Sequence, residues 1–430
     1  MTKLLFHYKS EHLPDPTKDR LPILLYGLKN GNEVYQIGNP IIDKIKRLGV
    51  KLPAQVIDFL SITLAVIAAD TFVRRTDAGD GWTRELSLKL PVSEPDRWRV
   101  VKEQLERTLH FLSGDIWEFD FVKGGFTPPI PYNKTKNRSN EIEGLDSVCL
   151  FSGGLDSAVG AIDLIENGGS PLLVSYGYKG DKNHQDEVAS HLKGKFSRFI
   201  ANANPISLNK KTDITMRTRS LSFLSLGVIG ACAVQIVNGL KKIDLVVPEN
   251  GLISLNAPLT SRRIGSLSTR TTHPYFLSMI QEIFAKLEIN CLIKNPYQFK
   301  TKGEMVFECR NKTILKKIVS HTVSCSHWKR KNQQCGICVP CLIRRAALFR
   351  AGLAEKVSYS YNKIGNVLEE RDKKDDLMAL QIATSKENSR NLNSWIIDSG
   401  PLPLKQLNSF KNTFSRGLEE VRIFLSSQDV

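Results

Sequence analysis

Residues 148 to 157 read Val148-Cys149-Leu150-Phe151-Ser152-Gly153-Gly154-Leu155-Asp156-Ser157. The apolar run at its start predicts a buried strand that feeds straight into a helix. Between the two, adjacent glycines let the backbone approach phosphate oxygens with no Cβ in the way. The helix that follows offers unpaired N–H groups and the positive end of its dipole. Ser152 and Ser157 add hydroxyl donors. The lysine that a Walker A loop carries after its second glycine is absent, which argues against a γ-phosphate hydrolase or kinase of that type. What remains suits a pyrophosphate, and hence ATP split between its α and β phosphates.

Outward from this loop, strand-like and helical runs alternate. Strands are expected over 147–151, 171–176 and Ile243 to Val247, with helices starting at 157 and 184 and one over 220–238. This is the sequence form of an α/β fold, a parallel sheet with helices on both faces. Ligands in such sheets sit at the carboxyl ends of the strands. The loops after Phe151, Tyr176 and Val247 are therefore expected to converge on one site, with Tyr176 and Gly177 closing over adenine or ribose.

Upstream, Leu86, Leu88 and Leu90 alternate with polar residues, as do Trp117, Phe119 and Phe121, and both runs read as half-buried strands. Trp98, Val101, Leu105, Leu109 and Leu112 step by three and four between them, the pattern of an amphipathic helix. Residues 1–126 thus read as a separate N-terminal α+β module, and 127–145, with Pro128, Pro129 and Pro131, as a linker. The loop-bearing domain spans 146–352. A polar, helical C-terminal extension takes 353–430, with a solvated mixed-charge run from Glu369 to Asp376. In that extension Leu404, Leu407, Phe410, Phe414, Leu418 and Val421 form one apolar stripe after Gly400, Pro401 and Pro403. Packing onto its own domain is the simpler use of the stripe, and binding a partner is the alternative. No internal repeat is apparent.

The 430 residues suffice for two or three domains with a substantial core. A formal charge of +16 attracts nucleotides, nucleic acids and acidic proteins alike. With the glycine loop present, nucleotide and acidic-partner binding are favoured over nucleic acid. The N-terminus lacks a signal-peptide plan. The apolar stretches Val56 to Ala69 and Leu221 to Val237 read as core helices rather than membrane spans. A cytoplasmic protein without a membrane partner is the expectation.

Eight cysteines, four of them clustered, indicate a reducing compartment and a metal rather than disulfides. Cys325, Cys335, Cys338 and Cys341 stand in CSHWKRKNQQCGICVPC, a spacing suited to tetrahedral Zn²⁺ with no open position and so a structural role. His327 is an alternative ligand to Cys325. Cys149 and Cys232 lie in apolar runs as core residues. The basic strings Lys329, Arg330, Lys331 and Arg344, Arg345 read as solubilising surface, or else as a partner or nucleic-acid patch.

The hexapeptide SGGLDS resembles the loop of the PP-loop ATP pyrophosphatases, and the four cysteines behind it resemble the QueC family, the 7-cyano-7-deazaguanine synthases. The likeness covers roughly 146 to 352. SYGYKGDKNHQDEVA (175–189), the arginine-led RSLSFL at Arg219 and the segment Lys302-Gly303-Glu304 also resemble that family. The chain departs from it in three ways. Family members are little more than half as long, the first cysteine spacing is one residue longer here, and residues 249–273 do not reproduce the usual substrate-side segment. Enlarged QueC-like proteins also occur in antiphage operons, where the Qat type combines one with an ATPase, a small partner and a TatD-like nuclease.

The resemblance implies an ATP-dependent ligase or synthase that adenylates the carboxylate of 7-carboxy-7-deazaguanine or a similar base, then passes the acyl group to an amine. The amine is ammonia or an amino group of a partner protein. Ser152, Gly153, Gly154, Leu155, Asp156 and Ser157 would hold the phosphates, and Asp156 would orient the loop or a Mg²⁺. Arg219 and Lys302 would meet charge developing on the phosphates, against a reading as plain surface residues. Glu249 would bind Mg²⁺ or the base, against a reading as an exposed loop carboxylate. Two other classes stay open: a PP-loop tRNA-modifying enzyme, and a catalytically silent nucleotide-binding subunit of a defence complex.

Overall fold

Two sheets of five strands, every pairing parallel, organise the chain. The computed structural model describes residues 1–17, 19–27, 34–132, 141–178, 180–208, 212–213, 215–260, 270–328, 332–354, 356–370, 373–386 and 391–428. The first sheet comprises β1 (Thr2–His7), β2 (Arg20–Leu25), β3 (Tyr35–Ile37), β4 (Glu85–Val92) and β5 (Ile116–Lys123), in the order β3-β2-β1-β4-β5. The second comprises β6 (Ser147–Leu150), β7 (Pro171–Tyr176), β8 (Ser197–Ala201), β9 (Ile243–Val246) and β10 (Cys291–Lys294), in the order β10-β9-β6-β7-β8. Counted from the first strand of each half, both sheets run third, second, first, fourth, fifth.

The likeness extends to the connections. Helices Ala54–Phe72 and Arg219–Val237 each join the third strand of their half to the fourth, and they pack on each other. Lys102–Ser113 and Pro274–Lys286 each precede the fifth strand, and they too pack on each other. The two halves therefore form an internal structural repeat that the sequence does not display, since topology depends on where apolar residues fall and not on their identities.

In the second half, alternate residues of β6 enter different cores, as a sheet covered on both faces requires. Val148 and Leu150 face the core shared with the first half, whereas Cys149 and Phe151 face a core formed with Leu155, Ala158, Met305 and Leu315. The first half corrects the α+β expectation: its sheet is wholly parallel, and the class is α/β. The alternation in β4 and β5 is real, with Glu85, Lys89, Glu118 and Asp120 exposed, but it arises because this parallel sheet has one face open. No α-helix follows β1 or β2 among the described residues, so nothing of that kind covers the outer face. Part of the 127–145 linker, residues 133–140, lies outside the described residues. Ile142 and Leu145 at its end are buried in the shared core.

Helices Ala54–Phe72 and Arg219–Val237 are long and apolar enough to cross a membrane, but 89% and 67% of their apolar windows are buried within the protein. The C-terminal stripe packs inward: Phe410, Phe414, Leu418 and Val421 are fully buried, while Leu404 is 86% exposed in the 3₁₀ turn ahead of the helix Leu407–Ser426. Arg344 is not a surface residue, and Arg345 is half-buried. Arg344 is fully buried, and Arg345 donates to the carbonyls of Gly336, Tyr361 and Asn362 and stacks over Tyr359. Lys329, Arg330 and Lys331 lie outside the described residues.

The halves are also joined by charge. Asp115 receives two guanidinium groups, Arg75 at 2.7 and 2.9 Å and Arg84 at 2.7 and 3.1 Å, and all three side chains are at most 3% exposed. Arg84 also donates to Asp70 at 2.6 Å, and the Arg75 backbone N–H reaches Asp213 in the second half at 2.9 Å. Asp115→Ala leaves two buried guanidinium groups to share Asp70 and is expected to cost about 3–5 kcal/mol in urea unfolding. A loss below about 1 kcal/mol would mean that water or other carboxylates replace it.

Candidate functional site

The loop after β6 lies between β7 and β9, where strand order changes direction. Gly153 has a φ of 82°, a conformation that favours glycine, and a Cβ there would lie 3.1 Å from the Gln185 side chain. A Cβ at Gly154 would lie 3.2 Å from the Val323 carbonyl oxygen. Ser152 and Ser157 share a hydrogen bond of 3.2 Å, and Ser157 Oγ donates to the Gly154 carbonyl at 3.0 Å. The helix Leu155–Glu166 begins directly after the loop, so its first N–H groups face the cradle end. Gln185 ties the loop to β7, donating to the carbonyls of Ser152 and Tyr176.

Asp156 and Lys302 form a buried ion pair through Oδ1 and Nζ, with side chains 8% and 7% exposed. Asn250 donates to Asp156 Oδ2 from its side chain at 2.7 Å and from its backbone at 3.2 Å. Glu249 is half-buried beside them and accepts from Asn250 at 3.1 Å. Burial alone would raise the Asp156 pKa, but the Lys302 charge and hydrogen bonds from Glu249, Lys302 and Asn250 hold it below the usual range. Burial, followed by the negative charge of Asp156, pushes Glu249 the other way. The two neighbouring carboxyls are thus pushed apart, Asp156 downward and Glu249 upward.

Arg219 is half-buried at the start of its helix, pairs with Asp181 at 3.2 Å, and lies over the rings of Tyr178 and Phe223 at 4.8 and 5.5 Å. Two adjoining cavities share Ser152, Ser157, Pro248 and Glu249. One, of about 200 Å³, is walled by Leu150, Phe223 and Leu277, with Arg219 and Ser220 at its edge. The Ser220 hydroxyl is buried with no hydrogen-bond partner among the described residues. The other, of about 240 Å³, holds Asp156, Lys302, Val323 and Ser324. A larger cavity of about 360 Å³ continues past Ile253 and Pro340 toward the C-terminal helices.

Of the residues expected at the site, the loop, Asp156, Lys302, Glu249 and Arg219 come together. Tyr176 serves the fold instead: its ring is 1% exposed, and its hydroxyl accepts from the Ala203 N–H at 2.9 Å. Gly177 packs against Ile200 and β8, and its N–H donates to the Ala201 carbonyl. Asn250, Gln185, Val323 and Ser324 were not expected. Asn250 had a usable signal, since its side chain caps the helix Gly251–Leu255 directly after Glu249. Val323 and Ser324 had none, because only the fold brings them to the loop.

Cys325, Cys335, Cys338 and Cys341 lie with all sulfur atoms within 4.8 Å of one another, and two Sγ···Sγ separations are 3.9 and 4.0 Å. Tetrahedral thiolate sites place sulfurs roughly 3.8 Å apart, so the cluster can hold a metal ion. Backbone N–H groups of His327, Cys335 and Cys338 point at these sulfurs at 3.3 Å. The His327 side chain is exposed and outside the group of four. Elsewhere among the described residues no three His, Cys, Asp or Glu side chains gather closely enough to bind an ion. The carboxylates beside the loop are Asp156 and Glu249, and both oxygens of Asp156 are already engaged, by Lys302 and by Asn250.

The cysteine cluster reaches the loop through Arg344, which donates to the Thr322 hydroxyl at 2.7 Å and to the Val319 carbonyl. The segment so held ends in Val323, whose N–H donates to the Gly153 carbonyl at 3.1 Å.

A scan against protein-family models finds no match, and no curated protein matches the chain.

Cys338→Ser is expected to abolish stoichiometric metal binding and to speed amide exchange at Val323 by roughly tenfold or more. Unchanged exchange at Val323 in a metal-free variant would uncouple the cysteine cluster from the loop.

Proposed function

We propose that this chain is a QueC-like PP-loop enzyme, nearest the QatC protein of the Qat antiphage systems, which adenylates a carboxylate with ATP and passes the acyl group to an amine. The observation that carries this reading is the buried Asp156–Lys302 pair beneath a glycine cradle, with an apolar cavity on the other side of Glu249. A planar base such as 7-carboxy-7-deazaguanine suits the cavity of Leu150, Phe223 and Leu277, where the Ser220 hydroxyl lacks a partner among the described residues. The polar cavity suits phosphates.

In the proposed reaction a carboxylate oxygen attacks the α-phosphorus of ATP. The bond to the α,β-bridging oxygen breaks, and pyrophosphate leaves with its electrons, giving an acyl adenylate. An amine then attacks the acyl carbon, loses a proton, and AMP departs. The N–H groups of the loop and the start of the helix Leu155–Glu166 bind the phosphate oxygens. Lys302 and Arg219 balance charge that develops on them. Asp156 anchors Lys302, and Glu249, which borders both cavities, would meet phosphate or base. A Mg²⁺ held by Asp156 and Glu249 would neutralise phosphate charge. Zn²⁺ is the ion proposed for the four thiolates, where it would be structural. The amine, ammonia or an amino group of a co-encoded protein, would enter by the cavity past Ile253 and Pro340. A cytoplasmic setting is part of this reading.

The test is release of pyrophosphate and AMP from ATP with 7-carboxy-7-deazaguanine, first with ammonia and then with co-encoded proteins, with products read by intact mass. Acid-dependent release is expected, reduced about 100-fold or more in Lys302→Met. No release under any of these conditions would refute the adenylation reading.

A further inference from the structure

The two cations of the candidate site share a structural setting. Arg219 is the first residue of the helix Arg219–Val237, and Lys302 is the first residue of Lys302–Glu308. Each follows a threonine, Thr218 or Thr301, and both threonines are at most 1% exposed. In each case a carboxylate from outside the loop-bearing domain reaches that threonine. Asp70, from the first half, accepts from the backbone N–H and the hydroxyl of Thr218 at 2.9 and 2.8 Å. Glu420, from the C-terminal helix, accepts from the Thr301 hydroxyl through Oε1 and from the Gly303 N–H at 3.2 Å through Oε2.

Neither carboxylate is held loosely. Asp70 is 2% exposed, and Arg84 donates to it at 2.6 Å while Arg84 itself is gripped by Asp115. Glu420 is 9% exposed, and a Cβ at position 303 would lie 2.4 Å from its Oε1, so only glycine lets it approach this closely. Arg416, one turn earlier on the same helix, pairs with Glu304 at 2.6 Å, and Glu304 closes a capping box on Thr301. Negative charge at a helix start fixes the first turn and satisfies its open N–H groups. The side chain carried by that turn is then fixed relative to the sheet.

We infer that Asp70 and Glu420 are positioning residues: carboxylates supplied by the two segments flanking the loop-bearing domain, which set Arg219 and Lys302 for a bound anion. This rests on the nucleotide reading for the identity of the anion, and on the hydrogen bonds alone for the positioning. The segments before and after the loop-bearing domain are then working parts of its site and not separate modules.

The full-length chain tests it, with inorganic pyrophosphate as the probe and circular dichroism as the check on folding. Glu420→Gln and Asp70→Asn keep side-chain volume and are each expected to weaken pyrophosphate binding about tenfold. A positioning role further predicts that the Glu420→Gln effect shrinks below about twofold in a Lys302→Met background, and the Asp70→Asn effect likewise in Arg219→Met. Equal losses in both backgrounds, or no loss in the single variants, would overturn it. Where Glu420→Gln does not fold, Glu420→Asp, with its shorter reach, takes its place.

Competitive acylation read by mass spectrometry needs no bound anion. Lys302, relative to Lys286, is expected to react several-fold faster in Glu420→Gln than in the wild-type chain. An unchanged ratio would overturn the positioning role. Absence of pyrophosphate binding by the wild-type chain, together with the faster Lys302 reaction in Glu420→Gln, would overturn the nucleotide reading and leave the positioning role standing.

Discussion

A carboxylate and an ammonium taken out of water are stable only as a pair whose remaining hydrogen-bonding groups are also satisfied, and Asp156 with Lys302 meets that condition through three separate stretches of chain. Asp156 comes from the helix after the glycine loop, Asn250 from the segment after β9, and Lys302 from the helix capped by Glu420. Losing one partner would leave a charge buried without compensation. The requirement that these groups meet therefore fixes the loop, the end of β9 and the C-terminal helix relative to one another. The first half enters by the corresponding route, through Asp70, Thr218 and the helix that begins at Arg219.

The second half could be read from sequence because its signals are local. A four-residue apolar strand, a glycine turn and a helix start carry their physics within ten residues, and β6, β7 and β9 fall close to where they are expected. Strands β8 and β10 were missed. In β8 Arg198 stands within a short run, and β10 spans only Cys291–Lys294 with Leu292 exposed. Asp156 and Glu249 could be singled out because each adjoins a strand end or a helix start, whereas Arg219 and Lys302 were singled out through segments that resemble the QueC family. Arg344 was misjudged as surface because composition cannot distinguish a basic residue that serves water from one that serves buried carbonyls.

The first half shows where periodicity misleads. Alternating apolar and polar residues in β4 and β5 report one covered face, and that pattern usually belongs to antiparallel sheets. Here it belongs to a parallel sheet whose helices, among the described residues, lie on the side facing the second half. Both halves keep the same strand order, yet only the second carries the glycine cradle. In the first, the crevice at the corresponding strand ends is filled: Tyr26 and Phe126 pack at 4.6 Å, Tyr8 stacks on Tyr26 at 5.9 Å, and the Tyr8 hydroxyl donates to the Pro91 carbonyl. Asp58, in the second turn of the apolar helix Ala54–Phe72, accepts from Ser93 and Trp98 and closes the same end. On the proposed reading, one half became a nucleotide site and the other became its support.

The central claim is that a substrate carboxylate attacks the α-phosphorus. The most direct measurement supplies the acid labelled with ¹⁸O in its carboxylate and follows the label into AMP. Transfer of one labelled oxygen to the AMP phosphate, with the acyl product correspondingly depleted, is the predicted result. AMP that forms without label would show that water or another group attacks the phosphorus, and would contradict the acyl-adenylate account.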